Sequence, residues 1–506
     1  MTEREEHLQY ELEQSRIENK ILREKVDALV RMIYGKKSEQ IDPDQQILFG
    51  ELDSKKAEAP AQENAVSEQG AKTDTPARSK SKKEKKPRLP EHLPIVEEVL
   101  EPAEVAADPS NWRLIGEEVT ERLDYTPGEF SKHRLIRRKY VRCDHPFNPP
   151  VVAALPATMQ ERCLATPALI GQVVISKYLD HLPLYRQEQI YQMRHGVHIP
   201  RQTLCRWVAL AADTLEPLYK LMSQGQQEHP YLQIDETPIA YLSPGKGQTA
   251  KGYLWVSNVP GGDVIYHWHT GRGAACLDAL LNENYAGTLQ SDGYQAYSSL
   301  QKQRARIRTC SIQLAGCWAH ARRKFYEAHE SGSQSRISAW FINQIKHLYA
   351  IESRLRMARA GPKLREATRC VESQAILQRI RNALFKIKPY CLPKSLLGKA
   401  IQYTFDQWEG LCVYAENGLI EIDNNLVENA IRPTKLGAKN WLFIGNDTSG
   451  ANTAILYSIL ESAKRHGLEP GSYLRHLLET LPKTTNWQLH KLTPAHYAKS
   501  LQQKAA

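Results

Sequence analysis

The spacing of apolar residues changes several times along the chain, and each change predicts a different kind of element. At residues 5–34, leucine, isoleucine and valine recur every three to four positions, which predicts one helix that ends at Gly35. The repeat is typical of a short coiled coil, and Asn19 in a core row favours a defined register and a dimer. The alternative is an amphipathic helix that packs on its own chain.

The composition changes after this helix. Residues 53–88 are rich in Ala, Glu, Ser, Lys and Pro and contain no aromatic residue, which predicts a disordered linker. Its basic end binds phosphates nonspecifically or serves only as a solvated spacer. Residues 89–160 are rich in proline and in strand-like runs.

Helical periodicity returns at about 165–225 and predicts a helical DNA-binding region. Gly196 ends one helix and Pro200 suits the first turn of the next, so this stretch has the form of a helix-turn-helix. An ordinary helical hairpin is the alternative. In the DNA-binding interpretation, base and phosphate contacts come from the start of the second helix. The candidates are Arg201, Gln202, Thr203 and Arg206.

From about residue 230 the apolar period becomes two. The runs "YLQIDETPIAYL", "GYLWVSNV" and "VIYHWHT" predict three successive strands, and a short helix follows at about 273–282. An apolar run before Asp292 and the later run "RTCSIQLAGCWAH" predict two further strands. This order of strands and helices is that of a ribonuclease H-like domain.

Three acidic residues occupy the places where such a domain holds catalytic metal ligands. Asp235 lies on the first strand, Asp292 follows the fourth strand, and Glu428 lies in a helix that Asp423 or Asn424 begins. We expect this helix to run to about Arg432, where Pro433 kinks or ends it. The long gap before Glu428 predicts a helix-rich insertion between the second and third acids.

Carboxylates that converge on a rigid platform suit a pair of hard divalent cations, Mg²⁺ or Mn²⁺. Two such ions about 3.5–4 Å apart stabilise the attacking and leaving oxygens of an in-line displacement at phosphorus. The three acids therefore predict two-metal phosphoryl transfer, in which water frees a 3′-OH that attacks a second phosphodiester. That chemistry cuts and joins DNA.

Other residues near these acids have simpler interpretations. Glu236 points to the opposite strand face and is expected to be a surface or supporting group, and Asp423 is expected to be occupied as a helix cap. His267 and His269 are expected to face solvent, because no third soft ligand lies nearby. Trp318 and Phe325 are expected to pack in the core.

Basic residues in two segments are candidates for contacts with the DNA backbone. His320 is expected to orient a scissile phosphate. The accompanying cations are Arg322, Arg323 and Lys324 after the fifth strand, and Arg432, Lys435 and Lys439 after Glu428. Because Pro433 interrupts the second group, a single helical face is not assumed for it.

Composition narrows the class of protein further. The 506 residues exceed one ordinary domain, and 67 Lys+Arg against 57 Asp+Glu give a formal charge of +10, which suits a polyanionic partner. The nine cysteines show no C-x-x-C pair, so we expect reduced thiols and a cytoplasmic protein that associates with the nucleoid when it binds DNA. No run has the length of a membrane span, so no membrane partner is expected.

At these residues the chain resembles transposases of the insertion sequence 66 family. The resemblance covers nearly the whole chain and lies in "SKYLDHLPLYRQE", "DETP", "SDGY", "CWAHARRKF" and "DNNLVENAIRPTKLGAKNWLF", in the expected order. It implies a DDE transposase that recognises the terminal repeats of its element, with Asp235, Asp292 and Glu428 as the triad. It also implies target DNA and small accessory proteins of the same element as partners.

The chain departs from the family pattern at two places. The cysteine-rich zinc-binding segment that usually precedes the helix-turn-helix retains only Cys143 and His145, so the sequence argues against a zinc ion there. Ala438 stands where the family tends to have a basic residue, which weakens one expected phosphate contact.

Together these observations predict a multidomain α+β protein with an N-terminal coiled coil, a degenerate zinc-ribbon-like and helix-turn-helix region, and a ribonuclease H-like catalytic domain with a helical insertion. The predicted segments are the coiled coil and tail (1–52), linker (53–88), zinc-ribbon-like segment (89–160), helix-turn-helix region (161–228), catalytic core (229–325 and 411–467), insertion (326–410) and C-terminal helical tail (468–506).

Three functions remain open at this stage. The leading one is a metal-dependent transposase that self-associates through residues 5–34. The others are a catalytically silent DNA-binding regulator derived from a transposase and a hydrolytic nuclease without strand transfer.

Overall fold

A computed structural model of the chain describes residues 128–136, 139–140, 151–152, 156–243, 245, 247–307, 311–332 and 335–505. The predictions for 5–34, for 53–88 and for most of 89–160 lie outside these residues. The chain divides into two compact units, Lys37–Arg134 and the rest. All elements named below belong to the second of these units.

The strands form two sheets within the described residues. They are β1 (Lys139–Tyr140), β2 (Val151–Val152), β3 (Tyr231–Leu242), β4 (Thr249–Asn258), β5 (Val264–His269), β6 (Thr288–Gln290) and β7 (Gln313–Ala315). β1 and β2 form a short antiparallel pair, and the other five strands form one mixed sheet in the order β5-β4-β3-β6-β7.

Helices make up most of the remaining described chain. They are α1 (Pro167–Tyr178), α2 (Leu184–His195), α3 (Arg201–Gln227), α4 (Ala274–Leu280), α5 (Gln295–Ile307), α6 (Trp318–Glu330), α7 (Ser335–Met357), α8 (Pro362–Thr368), α9 (Gln374–Ile387), α10 (Leu396–Asp406), α11 (Trp408–Glu416), α12 (Asn425–Trp441), α13 (Asp447–Arg465), α14 (Pro470–Thr480) and α15 (Pro494–Ala505). A π turn joins α8 to α9 (Arg369–Ser373), and 3₁₀ turns occupy Lys388–Tyr390, Leu481–Lys483 and Asn486–Leu492.

The five-stranded sheet follows the predicted sequence of elements. β3, β4 and β5 are antiparallel neighbours, whereas β6 pairs in parallel with both β3 and β7. The last strand is shorter than predicted, because the chain leaves the sheet at Gly316, whose N–H donates to the carbonyl of Gly410. "CWAH" consequently enters helix α6 instead of extending the strand.

Each face of the sheet is covered by helices. Apolar side chains of β3 and β4, such as Ile234 and Trp255, pack with Leu277 of α4 and Leu300 of α5. At the edge strand β5, backbone N–H groups donate to hydroxyl oxygens of Ser458 and Ser462 in α13. These bonds satisfy part of an edge that would otherwise present unpaired backbone groups.

The segment predicted as a helical insertion is helical throughout α7 to α10. Its centre is Arg369, which is fully buried and donates to both carboxylate oxygens of Glu352 at 2.7 Å. The same guanidinium also donates to the carbonyls of Tyr414, Asn417 and Ile420. Because a buried charge is tolerated only when it is paired, this bonding fixes the insertion against the loop that follows α11.

Two further expectations concern the chain as a whole. The cysteines within the described residues are free thiols, in keeping with the expected reduced state. No helix in the described part of the chain is long and apolar enough to span a membrane.

Candidate active site

The same sequence, Gln-x-Asp, occurs on two neighbouring parallel strands. Gln233 of β3 pairs in register with Gln290 of β6. Asp235 follows two residues later within β3, and Asp292 follows two residues later, just beyond the end of β6. The sequence interpretation identified the aspartates but missed the glutamines, although the repeated spacing was a visible signal.

The two buried glutamines connect the sheet to the loop that leads into α12. The amide of Gln233 donates to the Gln290 side-chain oxygen at 3.0 Å and to the carbonyl of Asp423 at 2.8 Å. The amide of Gln290 donates to the carbonyl of Glu421 at 2.8 Å. This loop is therefore held one layer of side chains below the two aspartates.

Asp423 holds the start of α12, as predicted for a residue whose oxygens are already occupied. Its carboxylate accepts hydrogen bonds from the backbone N–H of Asn425 at 3.1 Å and from the hydroxyl of Tyr349 at 2.7 Å. Tyr349 belongs to the helical insertion. Glu428, in the first turn of α12, is therefore placed by contacts from both the sheet and the insertion.

The prediction that this helix ends near Arg432 is wrong. α12 continues through Pro433 to Trp441, and its buried face includes Val427, Ile431 and Thr434. Packing of that face outweighs the one backbone hydrogen bond that proline cannot donate. Beyond α12, Ile444 pairs with β3, where its N–H donates to the Ala240 carbonyl at 2.8 Å. The helix that carries Glu428 is thus attached to β3 at both ends.

Asp235, Asp292 and Glu428 lie close enough to influence one another's ionisation. Burial raises the pKa of Asp235 well above its usual value, and the charges of Glu236, Asp292 and Glu428 raise it further. Burial also raises the pKa of Glu428, with Asp292 adding to the rise and Arg323 opposing it. The site therefore concentrates carboxylates where ionisation costs free energy unless positive charge is present.

Glu236 lies on the other side of β3 with a buried side chain, so of its two predicted roles the supporting one fits and the surface one does not. The side chain is 2% exposed, and its carboxylate pairs with Arg272 at 2.6 Å. The guanidinium of Arg272 lies 4.0 Å from the ring centroid of Tyr294, just after Asp292. Burial raises the pKa of Glu236 and Arg272 opposes that rise. The Glu236–Arg272 pair therefore supports β3 on the face opposite to Asp235.

The start of α6 brings a thiol and an imidazole to the same site. Cys317 is fully buried, and Nδ1 of His320 lies 3.7 Å from Oε1 of Glu428. Burial lowers the pKa of His320, and the charge of Asp292 opposes that effect. The predicted core positions of Trp318 and Phe325 are confirmed, since both side chains are fully buried.

Comparison with known proteins identifies the family of this chain. A sequence model described as "Transposase IS66 family" matches residues 162–452, which is more than half of the chain. The chain belongs to the IS66 transposase family. Models described as "Transposase C of IS166 homeodomain" and "IS66 C-terminal element" match residues 21–98 and 458–495. Membership of the family implies an enzyme that cuts and joins DNA.

Relatives of this IS66 family member occur in Sinorhizobium fredii (strain NBRC 101917 / NGR234). Uncharacterized protein y4qI is 36% identical over 429 residues, which cover 82% of this chain and 78% of the relative. Uncharacterized protein y4jD is 33% identical over 490 residues, which cover 94% of each chain. The similarity therefore extends over almost the full length.

The candidate DNA-reading residues of this IS66 family member lie at the start of α3, which a short connection joins to α2. Arg201, Gln202 and Arg206 are exposed, and Thr203 is half-buried. Pro200 immediately precedes the helix, and the backbone N–H of Arg201 donates to Glu188 of α2 at 3.0 Å. Among the described contacts, none joins these side chains to the three acids.

The basic residues of α6 and α12 lie on the same two helices as the site. On α6, Arg323 is exposed, whereas Arg322 and Lys324 are half-buried. Because α12 is continuous, its three cations follow Glu428 at positions that share one helical face. They are Arg432 and Lys439, which are exposed, and Lys435, whose ammonium group donates to the carbonyl of Pro238 at 2.8 Å.

The prediction that both strand histidines face solvent is wrong for His267. Helix α3 covers it, with the Tyr219 hydroxyl 3.0 Å from Nδ1, and the hydroxyl of Ser257 lies 3.4 Å from Nε2. Burial lowers the pKa of His267 to about 4. The neighbouring His269 is half-buried and accepts a hydrogen bond from the N–H of Gly271. Neither histidine contributes to the group at Glu428.

Proposed function

We propose that this chain is a DDE transposase that binds the terminal inverted repeats of its element and performs metal-dependent DNA cleavage and strand transfer. The observation that carries the proposal is that Asp235 on β3, Asp292 just beyond β6 and Glu428 on α12 lie close enough for the charges of the other two to raise the pKa of Asp235. These three residues are the proposed catalytic and metal-binding triad.

The strand order β5-β4-β3-β6-β7 supports a ribonuclease H-like catalytic core. In this arrangement the central strand β3 supplies Asp235, and the parallel strand β6 leads directly to Asp292. The helical insertion separates them in sequence from Glu428. The proposed core therefore consists of residues 229–325 and 411–467.

The donor set fits Mg²⁺ or Mn²⁺, because all three proposed ligands are carboxylates, which hard cations prefer. The crowding of like charges around Asp235 and the buried, unpaired Oε1 of Glu428 both favour a cation at this place. Bound there, two divalent ions would supply Lewis-acid stabilisation of the charge that develops on the phosphodiester. The protein's own contribution is to hold the three carboxylates on rigid elements.

Cations around the triad would hold the DNA backbone. Arg323 on α6 and Arg432 on α12 are exposed and close enough to Glu428 to lower its pKa, and Lys439 is exposed about three turns farther along α12. These positions suit neutralisation of phosphates along the DNA backbone. Residues at the start of α3 would contact the terminal repeats at a separate place. Self-association through 5–34 and accessory proteins of the element complete the proposed assembly.

The test uses the full chain, the accessory proteins of its element, and duplexes that end in the terminal repeat. Cleavage and strand transfer are measured with Mg²⁺ or Mn²⁺ for Asp235→Asn, Asp292→Asn and Glu428→Gln, with Asp406→Asn as the control. Asp406 is an exposed carboxylate on α10. We expect the three triad variants to lose both reactions while still binding the DNA end, and the control to retain both.

Other outcomes identify the competing functions. Full Mg²⁺-dependent activity in all three triad variants would exclude the proposed site. Cleavage by the wild type without any joined product would indicate a hydrolytic nuclease. End binding by the wild type without cleavage in either metal would indicate a DNA-binding regulator.

A further inference from the structure

Three different kinds of metal-binding side chain meet at the junction of α6 and α12. The Cys317 sulfur, a ring nitrogen of His320 and a carboxylate oxygen of Glu428 all lie within 4.8 Å of one another. Cys317 precedes α6 and His320 lies in its first turn, so their spacing of three residues brings them to one side. Within the described part of the chain, this is the one group of its kind.

A second observation is that two members of this group, His320 and Glu428, each have a buried polar atom without a hydrogen-bond partner among the described residues. Nδ1 of His320 and Oε1 of Glu428 are both buried and make no hydrogen bond within the described structure. Their separation of 3.7 Å is too long for a hydrogen bond between them. Buried polar atoms without partners are rare in proteins, and a bound ion or water is one way in which such atoms are satisfied. Here two of them face one another next to a thiol.

The sulfur is held by two backbone contacts. Burial raises the pKa of the Cys317 thiol well above its usual value, and the backbone N–H groups of Asn424 and His320 oppose that rise. A cation that binds the sulfur would therefore displace the thiol proton. Sulfur, imidazole and carboxylate together are a donor set for zinc and similar thiophilic ions, whereas Mg²⁺ prefers oxygen ligands alone. At bond lengths of roughly 2.0–2.3 Å the donor atoms around such an ion lie closer together than 4.8 Å, so binding would draw the three side chains inward.

We propose that Cys317, His320 and Glu428 form a site for a thiophilic divalent cation of the zinc class, with its fourth position open to water. This site shares Glu428 with the proposed magnesium-binding triad. An ion held by the thiolate and imidazole would withdraw that carboxylate from the triad. Zinc would therefore inhibit cleavage in competition with Mg²⁺. This last consequence rests on the proposed function, whereas binding of the ion does not.

Binding is tested on the full-length chain with Co²⁺ as the probe, because cobalt coordinated by a thiolate gives a charge-transfer band in the near ultraviolet. We expect this band at one equivalent of Co²⁺, its loss on addition of Zn²⁺, and its absence in Cys317→Ser. Cys276→Ser removes a different buried thiol, in α4, and is expected to keep the band. The same band in wild type and Cys317→Ser would overturn the proposal.

A second variant covers the case in which Cys317→Ser fails to fold, as judged by circular dichroism. His320→Ala retains the thiol and is expected to weaken Co²⁺ affinity on the order of tenfold or more, since metal affinity falls at least this far when ligand support is removed. Unchanged affinity in His320→Ala would contradict the assignment of the imidazole as a ligand.

The regulatory consequence is measured separately from binding. Terminal-repeat cleavage at fixed Mg²⁺ is titrated with Zn²⁺, and each variant is compared with its own zinc-free rate. The zinc concentration for half inhibition is expected to rise on the order of tenfold or more in Cys317→Ser. If zinc inhibits cleavage by the wild type and by Cys317→Ser at the same concentration, the proposed regulatory role is overturned. A cobalt band that depends on Cys317 in a protein without nuclease activity would leave this site standing and remove the proposed function instead.

Discussion

Gln233 and Gln290 pair in register on adjacent parallel strands and are hydrogen-bonded to each other, and an acid of the proposed triad follows each of them two residues later. Asp235 lies on β3, on the same face as Gln233, and Asp292 lies just beyond the end of β6. The glutamine pair fixes the loop before α12 through the carbonyls of Asp423 and Glu421. In both segments the supporting side chain and the candidate ligand are therefore only two residues apart.

Replacement of Asp235 by asparagine is expected to stabilise the metal-free protein at neutral pH while it abolishes cleavage. Because burial and like charges raise the pKa of Asp235, ionising it costs folded-state free energy. The wild type therefore loses stability as pH rises from the ordinary carboxyl value of about 3.9 towards the raised one. The neutral amide removes that loss, and its oxygen can still accept the hydrogen bond from the N–H of Glu236.

Thermal melts in a chelating buffer between acidic and neutral pH check this prediction. The gain in melting temperature is expected to be a few degrees at neutral pH and to vanish in acid. Asp406→Asn, an exposed carboxylate, should show no such gain. A variant that melts below the wild type at neutral pH would contradict the expected sign.

Replacement of Gln290 by leucine is expected to destabilise the protein by about 3 kcal/mol, because it leaves several buried groups without partners. The groups are the hydroxyl hydrogen of Tyr231 and the carbonyls of Gly316 and Glu421, whereas the Gln233 amide keeps its bond to the Asp423 carbonyl. Urea unfolding measures the change. Gln295→Leu, at an exposed position on α5, should stay within about 0.5 kcal/mol of the wild type.

The elements around the first two acids could be predicted because their signals are local. Alternation of apolar and polar residues identified β3, β4 and β5, and the short apolar run before Asp292 identified β6. Such patterns depend only on which strand face is buried. The positions of Asp235 and Asp292 follow directly from them.

The remaining features depend on partners distant in sequence. Pro433 is a local signal for a helix end, yet α12 continues because its buried face packs on the sheet. The sequence pattern predicted an exposed His267 and a surface or supporting role for Glu236. In the structure, α3 covers His267, and Arg272 pairs with the buried Glu236 side chain. Burial of a polar residue depends on a partner that the surrounding sequence does not reveal.

Replacement of Tyr349 by phenylalanine is expected to weaken the attachment of α12 to the helical insertion. The lost bond joins a hydroxyl to the buried carboxylate of Asp423, so the expected cost is about 1.5–3 kcal/mol. Because Asp423 lies at the start of the helix that carries Glu428, the Mg²⁺ concentration for half-maximal cleavage should rise. A metal titration of cleavage, together with urea unfolding, separates this effect from lost stability.

Tyr457→Phe is the matched control for that variant. Its hydroxyl is buried without a hydrogen bond in the described structure, so its removal should be neutral or slightly stabilising. If Tyr349→Phe loses stability but needs the same Mg²⁺ concentration for half-maximal cleavage as the wild type, Tyr349 has only a structural role.

Replacement of Arg272 by methionine is expected to produce a loss of stability that grows with pH. Without the guanidinium, the pKa of Glu236 would rise further, since Arg272 now opposes the effect of burial. In acid the Glu236 carboxyl is neutral in both proteins, so the wild type and Arg272→Met should then differ little in stability. Melting temperatures of the wild type and Arg272→Met, measured from acidic to neutral pH, test the prediction. In a Glu236→Gln background, the difference between the two melting temperatures should no longer depend on pH.

Replacement of Lys439 by alanine is expected to weaken binding to the terminal repeat and to unrelated DNA by the same factor. Lys439 is exposed on the face of α12 that also carries Glu428 and Arg432, where it would neutralise a phosphate. The slope of log affinity against log salt concentration should therefore decrease in magnitude by about 1. Lys302→Ala, an exposed cation on α5, should leave the slope unchanged. An unaltered slope in Lys439→Ala would place the DNA away from this face of α12.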